Sequence, residues 1–136
     1  VVAQSGLIVC SSLRRSLDSA LALNVRPDIV DSLFKEAELP IINCQWPKLS
    51  PTVWLMLCRV LWFLGKANHV ESFSQMKMRV SAAASQVMTY AAEHQQIVLI
   101  GHGLFNTFLA KELLSRGLSG PKKSARGYWQ FSVYEK

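Results

Sequence analysis

Residues able to do chemistry gather at two places in this 136-residue chain. The first is Gly101-His102-Gly103, which follows the run Ile97-Val98-Leu99-Ile100 and precedes an apolar helical pattern from Leu104. Four aliphatic residues, rich in β-branched types, read as a strand buried on both faces of a parallel sheet. His102 then stands at the strand's carboxyl end, beside a new helix N-terminus. Ligands bind there in open α/β sheets, and free N–H groups with the helix dipole favour an anion. Glycine on either side lets the backbone turn sharply or a ligand come close. A tight turn whose histidine only caps the helix is the simpler alternative. The second place is Ser11-Ser12-Leu13-Arg14-Arg15-Ser16-Leu17-Asp18-Ser19-Ala20, after another apolar run at 7–10. Arg14 and Arg15 fall in a helical first turn, where cations oppose the dipole unless something negative is bound. Arg14 is expected to reach solvent and Arg15 to meet a ligand.

These residues need elements to carry them. The pattern predicts a strand at 7–10 and a helix over 13–23, with Ser11 and Ser12 available as caps. Residues 28–34 read as a short strand or extended connector leading to Glu36 and Glu38, which form either a proton-donating pair or a solvated turn. Residues 41–49 lack a period and read as a loop covering a site. Ser50 and Pro51 start a helix that Gly65 stops. Its residues are apolar nearly all round apart from Arg59, too few to cross a bilayer, so it reads first as a core helix, second as a subunit or lid contact, and third as a peripheral membrane attachment, for which a lone arginine makes no basic face. Glu71 and Ser72 open a helix over 73–93 with Met76, Val80, Ala83, Ala84, Val87, Met88 and Ala91 on one face. Arg79 points away from most of that face, toward an acid or solvent. A helix over 104–115 ends near Gly117, and 128–134 reads as a final strand at or near a sheet edge.

Composition limits the function. Half the residues are hydrophobic and 18% charged, which excludes a disordered tail and suits one α/β domain over 1–136. The net charge of +6 favours anionic partners. Apart from Lys122, Lys123 and Arg126 the positive charges are scattered, without interleaved aromatics, so a phosphorylated small molecule fits better than nucleic acid. Cys10, Cys44 and Cys58 lie in apolar surroundings and read as reduced core thiols of a cytoplasmic protein. No Cys/His spacing suggests a metal site, and no cofactor is expected. Residue 1 is not Met and a strand enters almost at once, as if the chain were cut from something longer.

Taken together and in order, the 11–20 segment and Gly101-His102-Gly103 resemble the histidine phosphatase superfamily, the phosphoglycerate mutase-like family. Residues 33–39, Glu71-Ser72 and Arg79 fall where that family has an acidic turn, a Glu-Ser pair and a helix arginine. The resemblance implies a three-layer α/β sandwich with a mostly parallel sheet. It implies a phosphomonoester hydrolase or phosphomutase acting through a phosphohistidine. Matched residue by residue, Arg15, His102 and Gly103 would bind phosphate, His102 would be a catalytic pocket histidine, and Glu36, or Glu38 close by, the acid that protonates the leaving group. The family's nucleophile lies in an N-terminal Arg-His-Gly, which this sequence lacks. The resemblance therefore implies a missing N-terminal strand and a chain that alone holds the phosphate-binding part. Its partner would be a phosphorylated small molecule or a phosphopeptide. A phospholigand-binding or protein-interaction module, or a homo-oligomer joined through the 51–64 helix, are the alternatives.

Overall fold

The computed structural model describes residues 6–40, 48–67, 69–125, 127 and 129–136. It falls into two compact units, Val1–Glu36 with Arg79–Lys136, and Ala37–Met78. The loop expected over 41–49 lies, for 41–47, outside the described residues, as do Cys44, Arg126 and Tyr128.

The larger unit is built on a parallel sheet. Strand β1 (Leu7–Ser11) lies between β2 (Ile29–Asp31) and β3 (Ile97–Ile100). Parallel neighbours need a crossover, and α1 (Arg14–Ala22) supplies the one between β1 and β2. Register pairs Val9 with Ile29 on one side and Cys10 with Ile100 on the other. Val9, Cys10 and Ser11 are fully buried, so β1 is the strand covered on both faces. The same burial expected for 97–100 is corrected: all four residues of β3 are half-buried. With β1 on one side and no second strand on the other among the described residues, β3 is an edge.

Helix α3 (Phe73–Glu93) begins in the smaller unit and continues into the larger, where it buries Val80, Ala83 and Ala84. Helix α4 (Gly103–Ser115) buries Phe105, Leu109, Ala110 and Leu113. Arg116, just past its end, donates to Ser81 O, Ser81 Oγ and Ser85 Oγ of α3 while its Nε donates to Glu112. Beyond α4, no strand is formed among the described residues of the 128–134 segment expected to be one. An isolated antiparallel bridge joins Ser119 to Glu135, and Trp129, Phe131 and Val133 are exposed. A strand exists only through a neighbour's backbone groups, which the aromatic and β-branched content of this segment cannot replace.

In the smaller unit, Ser50 Oγ accepts Val53 N–H at the start of α2 (Pro51–Phe63), and Gly65 ends it at φ +87°. Trp62, Phe63 and Phe73 meet edge to face, with centroids 5.1 to 5.3 Å apart. Trp62 also donates its indole N–H to Glu71 O. Ser72 and Gln75 form a reciprocal capping box at the start of α3. The core-helix expectation for α2 is corrected: it buries Cys58 and Trp62 but leaves Val53, Leu55, Met56, Leu57 and Val60 exposed. Among the described residues, no helix is long and apolar enough to cross a membrane.

Candidate phosphate site

Parallel pairing of Cys10 with Ile100 brings the two strand-to-helix junctions to one end of the sheet. Ser11 ends β1, and His102 is the N-cap of α4. An N-cap side chain ordinarily accepts from the first turn, but His102 makes no such bond. Its Nε2 instead stands 3.0 Å from both Ser16 Oγ and Ser11 Oγ, with the tautomer deciding which group donates. Both hydroxyls are buried and His102 is 8% exposed. No hydrogen-bond partner reaches its Nδ1 among the described residues. Burial pushes the imidazole pKa down, the Glu36 carboxylate pulls it up, and the Arg15 guanidinium lowers it further.

Arg15 is exposed in the first turn of α1, and its guanidinium has no hydrogen-bond partner among the described residues. Arg14 does face solvent, 3.9 Å from Asp18, with the two side chains 93% and 66% exposed. Such a pair adds little to stability.

The two glycines differ. A Cβ on Gly101 would stand 2.7 Å from Asn106 Oδ1, so an added methyl would oblige the Asn106 amide to shift. A Cβ on Gly103 would meet nothing within 4 Å, and its φ is not positive. Among the described residues, neither backbone geometry nor packing requires a glycine at 103.

Glu36 is engaged in a way the sequence did not reveal. Its Oε1 accepts Phe105 N–H at 3.0 Å and its Oε2 accepts Leu104 N–H at 3.3 Å. An anion does sit at the N-terminus of α4, and it is a carboxylate of the chain itself. Asn106 N–H is spent on His102 O, leaving Gly103 N–H as the first-turn donor not used in these bonds. Glu38 is exposed.

Arg79 was expected to meet an acid or solvent. Its Nη1 donates to Leu33 O at 2.9 Å and Lys35 O at 2.7 Å, and its guanidinium lies 4.5 Å from the centroid of the Phe105 ring. Backbone carbonyls carry no residue identity, so nothing in the sequence marks these partners. Ser11 and Ser16 were also missed as partners of His102, although small hydroxyl residues flanking the arginines were a usable signal.

Comparison with solved structures gives one likeness to report. The product of the open reading frame Rv3214 from Mycobacterium tuberculosis, a histidine phosphatase-like protein, matches with a TM-score of 0.61 at 16% sequence identity. The match covers 96% of this chain and 70% of the other. At that identity the likeness is one of fold, and it supports an α/β architecture. No protein-family model and no curated protein matches the sequence.

Chemically, the cluster offers an exposed guanidinium fork, a buried imidazole and a backbone N–H at a helix start. All three are donors suited to the oxygens of a phosphoryl group. Cys10 is no candidate nucleophile, because burial pushes its thiol pKa up. Among the described residues, no three His, Cys, Asp or Glu side chains are grouped to hold a metal ion.

Proposed function

We propose that this chain binds a phosphate dianion between Arg15, His102 and Gly103. We further propose that it belongs to a phosphomonoester hydrolase or phosphomutase of the histidine phosphatase type. The observation that carries this reading is the convergence of His102 on the first turn of α1. Residues 86 apart in sequence, Ser16 and His102, are in hydrogen-bond contact beside Arg15. Gly103 adds support, since a glycine that the fold does not require is what close approach of a ligand to the backbone would demand. Binding works on the imidazole in a definite direction. A dianion favours its charged form against burial, so phosphate binding draws a proton onto His102 and the ring then donates to the phosphoryl oxygens.

Turnover through a phosphohistidine requires a nucleophile that His69, His94 and His102 do not supply, since none follows an arginine. In this reading it comes from a preceding strand that completes a three-layer sandwich, and the open edge of β3 is where a further strand could pair. Glu36 or Glu38 would protonate the leaving group. The engagement of Glu36 with two backbone N–H groups favours a second reading, a phospholigand-binding module without turnover. A homodimer through the exposed apolar residues of α2 is compatible with either.

Titration of the chain with inorganic phosphate, followed by the His102 imidazole resonances, tests the binding step. Arg15→Ala is expected to weaken binding roughly ten- to a hundredfold, the loss typical of a charge-assisted hydrogen bond. Failure of saturating phosphate to move the His102 signal would remove the reading. Addition of the preceding coding sequence then separates the two versions: phosphate release from a phosphomonoester supports the enzyme, and binding without release supports the module.

A further inference from the structure

We propose that Arg79 is the positioning residue of the His102 site, holding Glu36 on the first turn of α4. The inference rests on reading His102 as the imidazole that meets phosphate. Its geometry does not depend on a ligand.

Arg79 projects from α3 and touches two segments distant from each other in sequence. Its Nη1 donates to the carbonyls of Leu33 and Lys35, on either side of the fully buried Phe34. Two charge-assisted bonds from one nitrogen fix the backbone immediately before Glu36. The same guanidinium lies over the ring of Phe105, also fully buried, at a cation–π distance. Phe105 is the residue whose N–H Glu36 accepts. Arg79 therefore touches the backbone just before Glu36 and a residue whose amide Glu36 binds, and it closes a loop of contacts around the start of α4.

His102 senses the result because it is the N-cap of that helix. The groups acting on it are the Glu36 carboxylate, the Arg15 guanidinium and the hydroxyls of Ser11 and Ser16. Glu36 is the one that favours a charged imidazole. If Arg79 lets the 33–36 backbone drift, Glu36 leaves the helix start, its pull on His102 weakens, and the imidazole becomes harder to protonate. Phosphate binding, which needs the charged ring, weakens with it.

The test is the His102 imidazole titration, followed by NMR without ligand in the full chain, for Arg79→Met, Arg79→Lys and Glu36→Gln. Glu36→Gln should lower the His102 pKa by removing the charge. Arg79→Met should lower it in the same direction and speed hydrogen exchange at the Leu104 and Phe105 amides. Arg79→Lys keeps a cation able to reach both carbonyls and should stay near the parent in both readouts. A merely structural arginine would lower melting temperature in Arg79→Met and leave the His102 titration where it was; that result overturns the proposal. So does a shift in Arg79→Met that Glu36→Gln does not share, since the path would then bypass Glu36. If Arg79→Met fails to fold, Arg79→Gln takes its place: a lowered His102 pKa shared with Glu36→Gln upholds the proposal, and an unmoved titration overturns it. Phosphate affinity, measured separately, reports on the binding reading: parent chain that titrates as expected but does not bind phosphate defeats that reading alone.

Discussion

Ser16 Oγ and His102 Nε2 lie 3.0 Å apart, and Ser11 Oγ approaches the same nitrogen equally closely. One ring nitrogen thus has two buried hydroxyls within reach, and either alone can keep it satisfied. Ser16→Ala should cost about 1 kcal/mol. Ser11→Ala should cost somewhat more, because Ser11 Oγ also accepts Leu13 N–H. The double variant leaves a buried nitrogen without either hydroxyl, so its loss should exceed the sum of the singles by at least about 0.5 kcal/mol. Urea unfolding of the four proteins measures this. Strict additivity would mean that the two contacts are independent.

The pH dependence of stability follows from His102. Burial is the main influence and holds its folded pKa below the ordinary imidazole value of about 6.5. As pH falls through 6.5 the unfolded chain takes up the proton first, so the folded state loses stability until its own lower pKa is passed. The contribution is fully present above the ordinary value. His102→Gln should flatten the part of the stability profile that lies just below pH 6.5, read as the difference between parent and variant denaturation midpoints. A parent whose stability rises on acidification through this window contradicts the assignment.

Gly101 and Gly103 should separate folding from binding. Gly101→Ala forces Asn106 Oδ1 away from a position 2.7 Å from the new methyl, and a loss of roughly 1 kcal/mol is expected. Gly103→Ala meets open space in the first helical position, so stability should be unchanged or higher by up to about 1 kcal/mol. Its phosphate affinity should nonetheless fall, because the methyl stands where a ligand would approach the amide. Calorimetric melting together with phosphate titration distinguishes the two effects. Unimpaired phosphate binding by Gly103→Ala would place the ligand elsewhere.

Much of this architecture was legible in the residues, for identifiable reasons. The start and stop of α2 and the start of α3 follow from Ser50, Pro51, Gly65 and Ser72, whose local chemistry acts within one helical turn. Strand β1 and helix α1 were readable from hydrophobic period, while the pairing of the two junctions came only from the family resemblance. What failed depended on neighbours. Residues 97–100 and 128–134 have strand composition, but two-sided burial of the one and pairing of the other require adjacent strands that local pattern does not contain. At the site, His102 was found as a chemical type. The engagement of Glu36 with backbone amides and of Arg79 with backbone carbonyls was invisible, because main-chain atoms are the same at every position.

Those unmet neighbours lead to a prediction about association. Strand β3 presents an edge of half-buried aliphatic residues, and Phe131, 85% exposed, and Trp129, 66% exposed, lie on a segment with strand composition but no strand pairing. Open edges and exposed apolar residues template further pairing, so the isolated chain should self-associate as concentration rises. Helix α2 offers a competing surface, with Met56 66% exposed and Leu55 57% exposed. The two surfaces can be told apart because neither Phe131 nor Met56 is buried, and polar replacements there should leave stability within about 0.5 kcal/mol. If strand chemistry dominates, Phe131→Ser reduces association in sedimentation velocity while Met56→Lys does not. If α2 forms a dimer, Met56→Lys yields monomer and Phe131→Ser has no effect. A parent chain that sediments as a monomer over a hundredfold range of concentration would show that neither surface is sticky in solution.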